Sequence, residues 1–512
     1  MALPPFYQRA AVAMSQILHG YDDEAIRRKL QDATIGLSFG RQAAQSTDGK
    51  TLLDLLIRLL ARLYPRLFLA GHNAEGHATS LHDLARSINP DIEITDEDDA
   101  TFWIVVGNDV PAPPYPFIAA GCRGWHGMVG TELIPVTDTR NPFGAGVAAA
   151  LAAANVFRYI FVSHELLDSS AVLGSIPDGW ELPAPSNVDI GAANVLCGLG
   201  AVGQAVAWAL ARSDVRGRVE LVDHETVQLD NMQRYVLTAL PDEGQLKTNL
   251  AAKFLAERFC VQEHPLRWSE FVERKGYAWE RVVCAVDSAD ARREVQASLP
   301  RWICNAWTQP GDLGVSRHLF GRGACLACLY MPRTPALNED AVIANALGIP
   351  DAPFLMRVRE LLFRNDGAPD DLLALIADRR PEVDRAALMN FSGRPLRELY
   401  REGFCGGAVL PIGLAGTPQA DVHVPVAHQS ALAGVLAAAA LVADALGLRP
   451  PRTDSLRADL LRPLPSGVGF QPVGAESGCL CQDRDYQRRY LAKWPRPLSV
   501  VAESAYPFRV AG

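Results

Sequence analysis

The sequence predicts an α/β fold in two halves, the second built on a parallel sheet flanked by helices. Three observations carry that expectation. An apolar strand from Asn194 runs into Gly198-x-Gly200-x-x-Gly203 and then into a helical run from Gln204 to Ala211. A second strand, starting at Arg218, ends in the carboxylate of Asp223. From Ile190 onward strands and helices alternate, the pattern of a parallel sheet.

Each part of the opening motif has a physical task. Glycines let the backbone turn tightly and approach a phosphate, and a helix N-terminus presents free N–H groups to an anion. Asp223 is placed to accept hydrogen bonds from a ribose. Taken alone, these features fit NAD. Beyond them come Asn231, Arg234 and Lys247, and a third strand from Arg281 that ends in Asp287. A hydride-transfer site has no need of this cluster after the ribose carboxylate, whereas an ATP-cleaving site does. Cations along a triphosphate neutralise charge growing on the leaving pyrophosphate, and a strand-end Asp can hold Mg²⁺ between phosphate oxygens.

The rest of the chain narrows the class. It has 512 residues, enough for two or more domains, with an apolar fraction of 49% and a charged fraction of 21%. A net charge of −9 gives no electrostatic footprint for nucleic acid. The N-terminus lacks a basic stretch followed by an apolar core, so no signal peptide is expected. The most apolar run, Ala431 to Ala443, is shorter than the ~20 residues of a membrane span and reads as a buried helix. Ten cysteines in a chain this long suit a reduced cytoplasm rather than a disulfide scaffold.

Residues 1–185 carry helical patterns (Tyr7 to Leu18, Asp22 to Leu30, Leu52 to Leu63), then strand-like runs at Phe68, at Thr101 to Gly107 and at Phe117. An Ala-rich helix from Gly144 to Phe157 closes this half, and a Pro-rich stretch around Pro183 forms a linker. Asn141-Pro-Phe-Gly-Ala-Gly is echoed by the segment from Val424 to Ala440. Either Ala-rich helices simply look alike, or both halves share one fold and only the second kept its glycine loop. Between Met331 and Arg401 the pattern changes to short helices with Pro and acidic breaks, read as an inserted helical subdomain.

The ordered set Gly198, Gly200, Gly203, Asp223, Asn231, Arg234, Lys247 and Asp287 resembles the ThiF/MoeB and ubiquitin-activating enzyme superfamily, strongly over Ile190 to Ser288 and more weakly to about residue 445. The resemblance implies a ThiF-like, Rossmann-type adenylation domain, an acyl substrate that attacks the α-phosphate of ATP, and named roles. Asp223 binds the ribose, Asn231 orients the nucleotide, Arg234 and Lys247 bind phosphates, and Asp287 binds Mg²⁺. The family also borrows an arginine from a partner copy of the fold. Leu37-Ser-Phe-Gly-Arg41-Gln is similar to that segment, making Arg41 the candidate and residues 1–185 a degenerate copy; an ordinary surface arginine is the plainer reading.

Two cysteine pairs, Cys325-x-x-Cys328 and Cys479-x-Cys481, suit a tetrahedral structural Zn²⁺. The second pair departs from the CxxC usual in the superfamily, and a redox CxxC is the alternative for the first. Cys405 lies in Phe404-Cys-Gly-Gly with Arg394, Arg397 and Arg401 near in sequence. Flanking glycines imply an exposed turn, and cationic surroundings favour a reactive thiolate. The resemblance makes Cys405 the transfer cysteine that attacks the adenylate; the alternative is a buried structural thiol. Cys197, Cys284 and Cys304 read as core, and His423 and His428 as packing residues rather than metal ligands.

The expected organisation is therefore an inactive adenylation-like domain (1–185), an active ATP-binding domain (190–330 and 405–460), a helical insertion (331–404) and a C-terminal tail with CxC (461–512). The expected partners are a ubiquitin-like protein and a ubiquitin-conjugating-type enzyme, with no nucleic acid or membrane. The size and layout resemble the activating enzymes of bacterial antiviral defence operons of the Bil and CBASS types. The rival is a ThiF/MoeB-like enzyme that adenylates a sulfur-carrier protein without a thioester.

Overall fold

A computed structural model describes residues 3–18, 23–95, 100–113, 116–177, 182–309, 311–331, 339–405, 425–450, 452–465 and 468–495. Helices α1 (Tyr7–Ile17) and α2 (Asp23–Asp32) open the chain. The first half then follows as β1 (Ile35–Phe39), α3 (Arg41–Gln45), α4 (Thr47–Leu60), β2 (Arg66–Gly71), α5 (Glu75–Ile88), β3 (Glu93–Ile94), β4 (Phe102–Val106), β5 (Phe117–Arg123), β6 (His126–Gly130), α6 (Pro142–Phe157) and β7 (Ser170–Gly174).

The second half comprises β8 (Val188–Asp189), β9 (Asn194–Cys197), α7 (Ala201–Arg212), β10 (Val215–Val222), α8 (Lys247–Leu255), β11 (Phe259–His264), α9 (Trp268–Lys275), β12 (Arg281–Cys284), α10 (Ala289–Ala297), β13 (Trp302–Gln309), β14 (Asp312–His318) and α11 (Leu326–Leu329). Five helices of the insertion come next: α12 (Glu339–Ala346), α13 (Ala352–Arg364), α14 (Asp370–Arg379), α15 (Arg385–Met389) and α16 (Leu396–Glu398). The chain then returns through α17 (Ala427–Ala445), β15 (Asp454–Ala458), β16 (Gln471–Pro472) and α18 (Arg484–Lys493).

Two sheets result, and their topologies match. The first runs β3-β2-β1-β4-β5-β6-β7 and the second β11-β10-β9-β12-β13-β14-β15-β16, with β8 added beside β10. In both, the first five strands in that order pair in parallel and the following pairings are antiparallel. The echo between Asn141 and Val424 therefore marks a shared fold: α6 enters β7 as α17 enters β15.

Both of these helices are buried on every side, which is why their sequences are apolar throughout rather than striped. With the π-helical turn that continues α6 to Val162, both are long and apolar enough to cross a membrane, but they lie almost wholly inside the protein. Small residues let them approach closely. A Cβ on Gly146 would meet Val435 at 2.8 Å, and one on Gly434 would meet Ala205 at 2.4 Å.

The chain divides into two compact units. One holds both sheets (1–7, 28–331 and 425–512); the other holds residues 8–27 with 332–424. The helical insertion has its own apolar core, including Ile343, Leu347, Val358, Leu372, Ile376 and Leu399. The early helical segment 8–27 groups with this unit, where the sequence had suggested part of the first half.

Candidate active site

The site is built at the C-terminal ends of β9, β10 and β12. Each glycine of the loop answers a different demand. Gly198 leaves β9 at φ +88°, and a Cβ there would lie 2.7 Å from the Ala285 carbonyl carbon beyond β12. A Cβ on Gly203 would lie 2.0 Å from the Gly198 carbonyl oxygen, so this glycine seats α7 on the loop that precedes it. Gly200 caps α7, and the nearest atom to its missing side chain is the Tyr235 hydroxyl at 3.5 Å.

Asp223 follows the last residue of β10 and is tied back to the loop. Its Oδ2 accepts the Leu199 N–H at 2.7 Å and its Oδ1 accepts the Glu225 N–H at 2.9 Å. Burial pushes its carboxyl above the ordinary range, against the pull of Lys247.

Lys247 is brought there by backbone stitching. Thr226 bridges Leu246, the Val227 N–H donates to the Gln245 carbonyl at 2.8 Å, and the Lys247 N–H donates to the Glu225 carbonyl at 3.1 Å. The residue is 4% exposed, and Nζ donates to Glu225 Oε2 at 2.5 Å. Burial opposes its charge, but Tyr235, Asp223 and Glu225 together hold the ammonium above its ordinary range. The Glu225 side chain is 56% exposed, so the pair joins a buried ammonium to a carboxylate open to solvent.

Asn231 and Arg234 share one turn, with the Arg234 N–H donating to the Asn231 carbonyl at 3.1 Å. Asn231 Oδ1 accepts the Gln228 N–H at 3.2 Å, so part of its role is local capping. The turn delivers Tyr235, whose ring lies 5.5 Å from the Arg234 guanidinium and 5.3 Å from the Lys247 ammonium. Sequence reasoning missed Tyr235 and Glu225; the first followed directly on Arg234 and the second on the Asp223 strand.

Asp287 lies farther from its strand than expected. β12 ends at Cys284, and Asp287 is an exposed loop residue just before Ser288, which caps α10. Arg292 donates to the Val286 carbonyl and so holds this loop. Arg41 is exposed and opens α3 at the end of β1. Cys405 ends a π-helical turn, Leu399–Cys405, that follows α16, and its neighbour Phe404 is buried in the insertion core. The Cys405 side chain, Gly406, Gly407 and His423 lie outside the described residues. His428 is buried against Phe157, as a packing residue would be.

The four expected zinc cysteines do come together, all buried. Cys325 Sγ lies 3.5 Å from Cys479 Sγ and 3.9 Å from Cys328 Sγ, Cys328 lies 3.5 Å from Cys481, and all four sulfurs fall within 4.8 Å. Sulfurs on a tetrahedral zinc with ~2.3 Å bonds are about 3.8 Å apart, so the set could hold that ion. The Glu476 N–H donates to Cys328 Sγ and the Gln482 amide to Cys481 Sγ, both at 3.4 Å, as thiolate ligands require. The CxC spacing is no obstacle, because the 3₁₀ turn Leu480–Gln482 carries Cys481 and is capped by Cys479, and both reach the cluster. Cys197, Cys284 and Cys304 are buried strand residues whose thiols burial pushes up, in keeping with core roles.

A glycine loop opening a helix, a strand-end carboxylate and a buried lysine beside it define a nucleotide-binding α/β enzyme. Comparison with known proteins makes the class specific. The model of the ThiF family matches residues 189–443, and the model of prokaryotic E2 family C matches residues 38–162. An uncharacterized protein of Sinorhizobium fredii (strain NBRC 101917 / NGR234), y4jF, is 39% identical over 98% of this chain and 100% of its own length. The Caenorhabditis elegans NEDD8-activating enzyme E1 catalytic subunit is 30% identical over 129 residues, 23% of this chain and 29% of that protein. Crystal structures of E. coli MccB, alone and with MccA-N7isoASN, each align at TM-score 0.33; the latter is 15% identical over 56% of this chain and 66% of that chain. The chain belongs to the ThiF family, in the superfamily of MoeB and the ubiquitin-activating enzymes, and to a prokaryotic ubiquitin-like system. It is an adenylating enzyme.

Proposed function

We propose that this enzyme adenylates the C-terminal carboxylate of a ubiquitin-like protein and then takes the acyl group onto Cys405 as a thioester, for transfer to a conjugating-type enzyme. The observation that carries the adenylation step is the cluster of Lys247, Tyr235 and Asp223 around the N-terminus of α7. In this reading the α7 N–H groups and the glycine loop cradle the ATP phosphates, and Asp223 receives the ribose. Lys247 exchanges Glu225 for a phosphate oxygen, with Arg234 as a second cation and Asn231 holding the turn that carries it. Arg41 is the cation supplied by the first half. Asp287 would hold Mg²⁺, which supplies further neutralisation of phosphate charge, and the four cysteines would hold a structural Zn²⁺.

A carboxylate oxygen attacks the α-phosphorus, the bond to the β-phosphate oxygen breaks, and pyrophosphate leaves with that electron pair. The Cys405 thiolate then attacks the acyl carbon and AMP leaves. Preorganised charge at the leaving oxygens is the protein's main contribution. Residues 38–162, where prokaryotic E2 family C matches, contain one cysteine, Cys122, buried within β5. Burial pushes its thiol well above the ordinary range. In this reading the conjugating cysteine belongs to a separate partner protein. The cytoplasm and a bacterial antiviral defence operon are the setting that this reading favours.

Removing the thiol tests the second step. Cys405→Ala is expected to keep ATP–pyrophosphate exchange while losing a reducible thioester with the carrier, read on non-reducing gels. A thioester that persists would move the assignment to another cysteine. Exchange with no thioester in the wild type would favour activation of a sulfur-carrier protein, a reading consistent with Cys405 following the packed Phe404.

A further inference from the structure

Helix α4 belongs to the half without a glycine loop, yet its side chains hold the nucleotide loop of the other half. Arg62, just beyond α4, is 1% exposed. Its Nη2 donates to the Tyr235 carbonyl at 2.5 Å and the Thr238 carbonyl at 2.6 Å, and its Nη1 to the Arg58 carbonyl at 2.6 Å. Arg58 Nη1 donates to the Val236 carbonyl at 2.9 Å. Three carbonyls of one short segment are thus held by two guanidiniums from the first half. Asp54 completes the link: its Oδ2 accepts from Arg58 Nε at 2.9 Å and from Trp208 Nε1 and Arg212 Nη2 at 2.8 Å each. Trp208 and Arg212 lie on α7, the helix that the glycine loop opens.

Adhesion between the halves does not explain this choice of residues. Buried charge is costly, and well-packed apolar side chains of similar volume hold interfaces at least as well. Burial and the neighbouring Arg58 pull Arg62 down to about 9, with Asp54 opposing. What a planar guanidinium offers, and an aliphatic side chain does not, is several fixed donors for backbone carbonyls. The segment so fixed is the one that sets Tyr235 between Gly200 and Lys247.

We propose that Arg62 and Arg58 are positioning residues for the nucleotide site: acting through the Tyr235 segment, the first half sets the affinity of the second for ATP. This rests on the reading that the glycine loop and Lys247 hold ATP. It assigns the first half a role beyond a single borrowed arginine.

The test compares Arg62→Met, Arg62→Lys, Tyr235→Leu and the Arg62→Met/Tyr235→Leu double variant in the full chain, by ATP titration calorimetry alongside thermal melting. Arg62→Met is expected to weaken ATP binding about tenfold, the worth of one or two charge-assisted hydrogen bonds. Arg62→Lys recovers part of that loss. The double variant binds no worse than Tyr235→Leu alone, because the arginine acts through the tyrosine. If Arg62→Met does not fold, Arg62→Lys and Arg58→Gln decide the matter, with about threefold losses expected from single bonds. ATP affinity unchanged in the folded variants, or fully additive losses in the double variant, would overturn the clamp. A wild-type chain that binds no ATP would instead sink the reading of the site, and the clamp with it.

Discussion

The two halves carry the same sheet, and strand register shows where they part. Phe39 ends β1 opposite Gly71 and Val106, as Cys197 ends β9 opposite Val222 and Cys284. One residue beyond those strand ends, Gly40 matches Gly198 and His72 matches Asp223. Three residues beyond β4 and β12, Asp109 matches Asp287. In the first half, however, the short helix α3 fills the place of the open glycine loop. Asp109, though exposed, turns to the start of α3, accepting the Gln42 N–H at 2.8 Å, and a Cβ on Gly40 would lie 2.4 Å from its carboxylate. His72 is engaged with Ser38 Oγ at 3.0 Å, and Glu75, not lysine, opens α5 as Lys247 opens α8. Besides Gly40, a second glycine is shared: a Cβ on Gly49 would meet the Ala43 carbonyl oxygen at 2.2 Å, just as one on Gly203 meets that of Gly198. So the expectation that only the second half kept its glycines needs amending. Two glycines thus remain in the first half, while the space at Gly40 is filled by the Asp109 carboxylate.

Paired substitutions at matching positions sharpen this contrast. Lys247→Ala and Asp287→Ala are each expected to cut ATP–pyrophosphate exchange by on the order of 10²–10³, as loss of a charge-stabilising group at a reacting centre does. The matching changes Glu75→Ala and Asp109→Ala should leave exchange within about twofold, in line with ordinary surface substitutions. Full exchange by Asp287→Ala would mean that another carboxylate serves the metal.

A smaller effect concerns the insertion between β14 and α17. In the first half a loop joins β6 to α6; in the second, the first cysteine pair of the cluster, Cys325 and Cys328, and the helical insertion occupy that connection. Cys479→Ser should lower bound zinc from one equivalent per chain to near zero and depress melting by on the order of 10 °C. Unchanged zinc content by mass spectrometry would contradict the four-thiolate site.

Smaller still is a pH effect at the helix interface. Burial, with Arg158 nearby, pulls His428 down to about 3. Its folded value lies below the unfolded one, so the stability it contributes is complete above pH ~6.5 and is lost as pH falls toward 3, by up to about 1.4 kcal/mol per pH unit. His428→Gln should flatten the fall in unfolding free energy between pH 6.5 and 4.5; an unaltered slope would assign it to other groups.

How much was legible follows from how local each signal is. The glycine loop and Asp223 are written as a strand, a turn and a helix in succession, so the second half could be read directly. The cysteine pairs were legible because each is local; their meeting across the chain could only be proposed. The first half was harder. Its marks, Gly40, Gly49 and Asp109, gain meaning only through strand register, and β6 and β7 are short and Gly-interrupted. Tyr235 gave no signal of its own, since its importance comes from Arg62 and Arg58, far away in sequence. Nor did any pattern tie residues 8–27 to the insertion.

Nucleotide stoichiometry tests the central claim most directly. Equilibrium dialysis of labelled ATP against the full chain should give one site per chain, abolished by Lys247→Ala and untouched by Glu75→Ala. Two sites per chain, or one that survives Lys247→Ala, would contradict an open second half propped by a closed first.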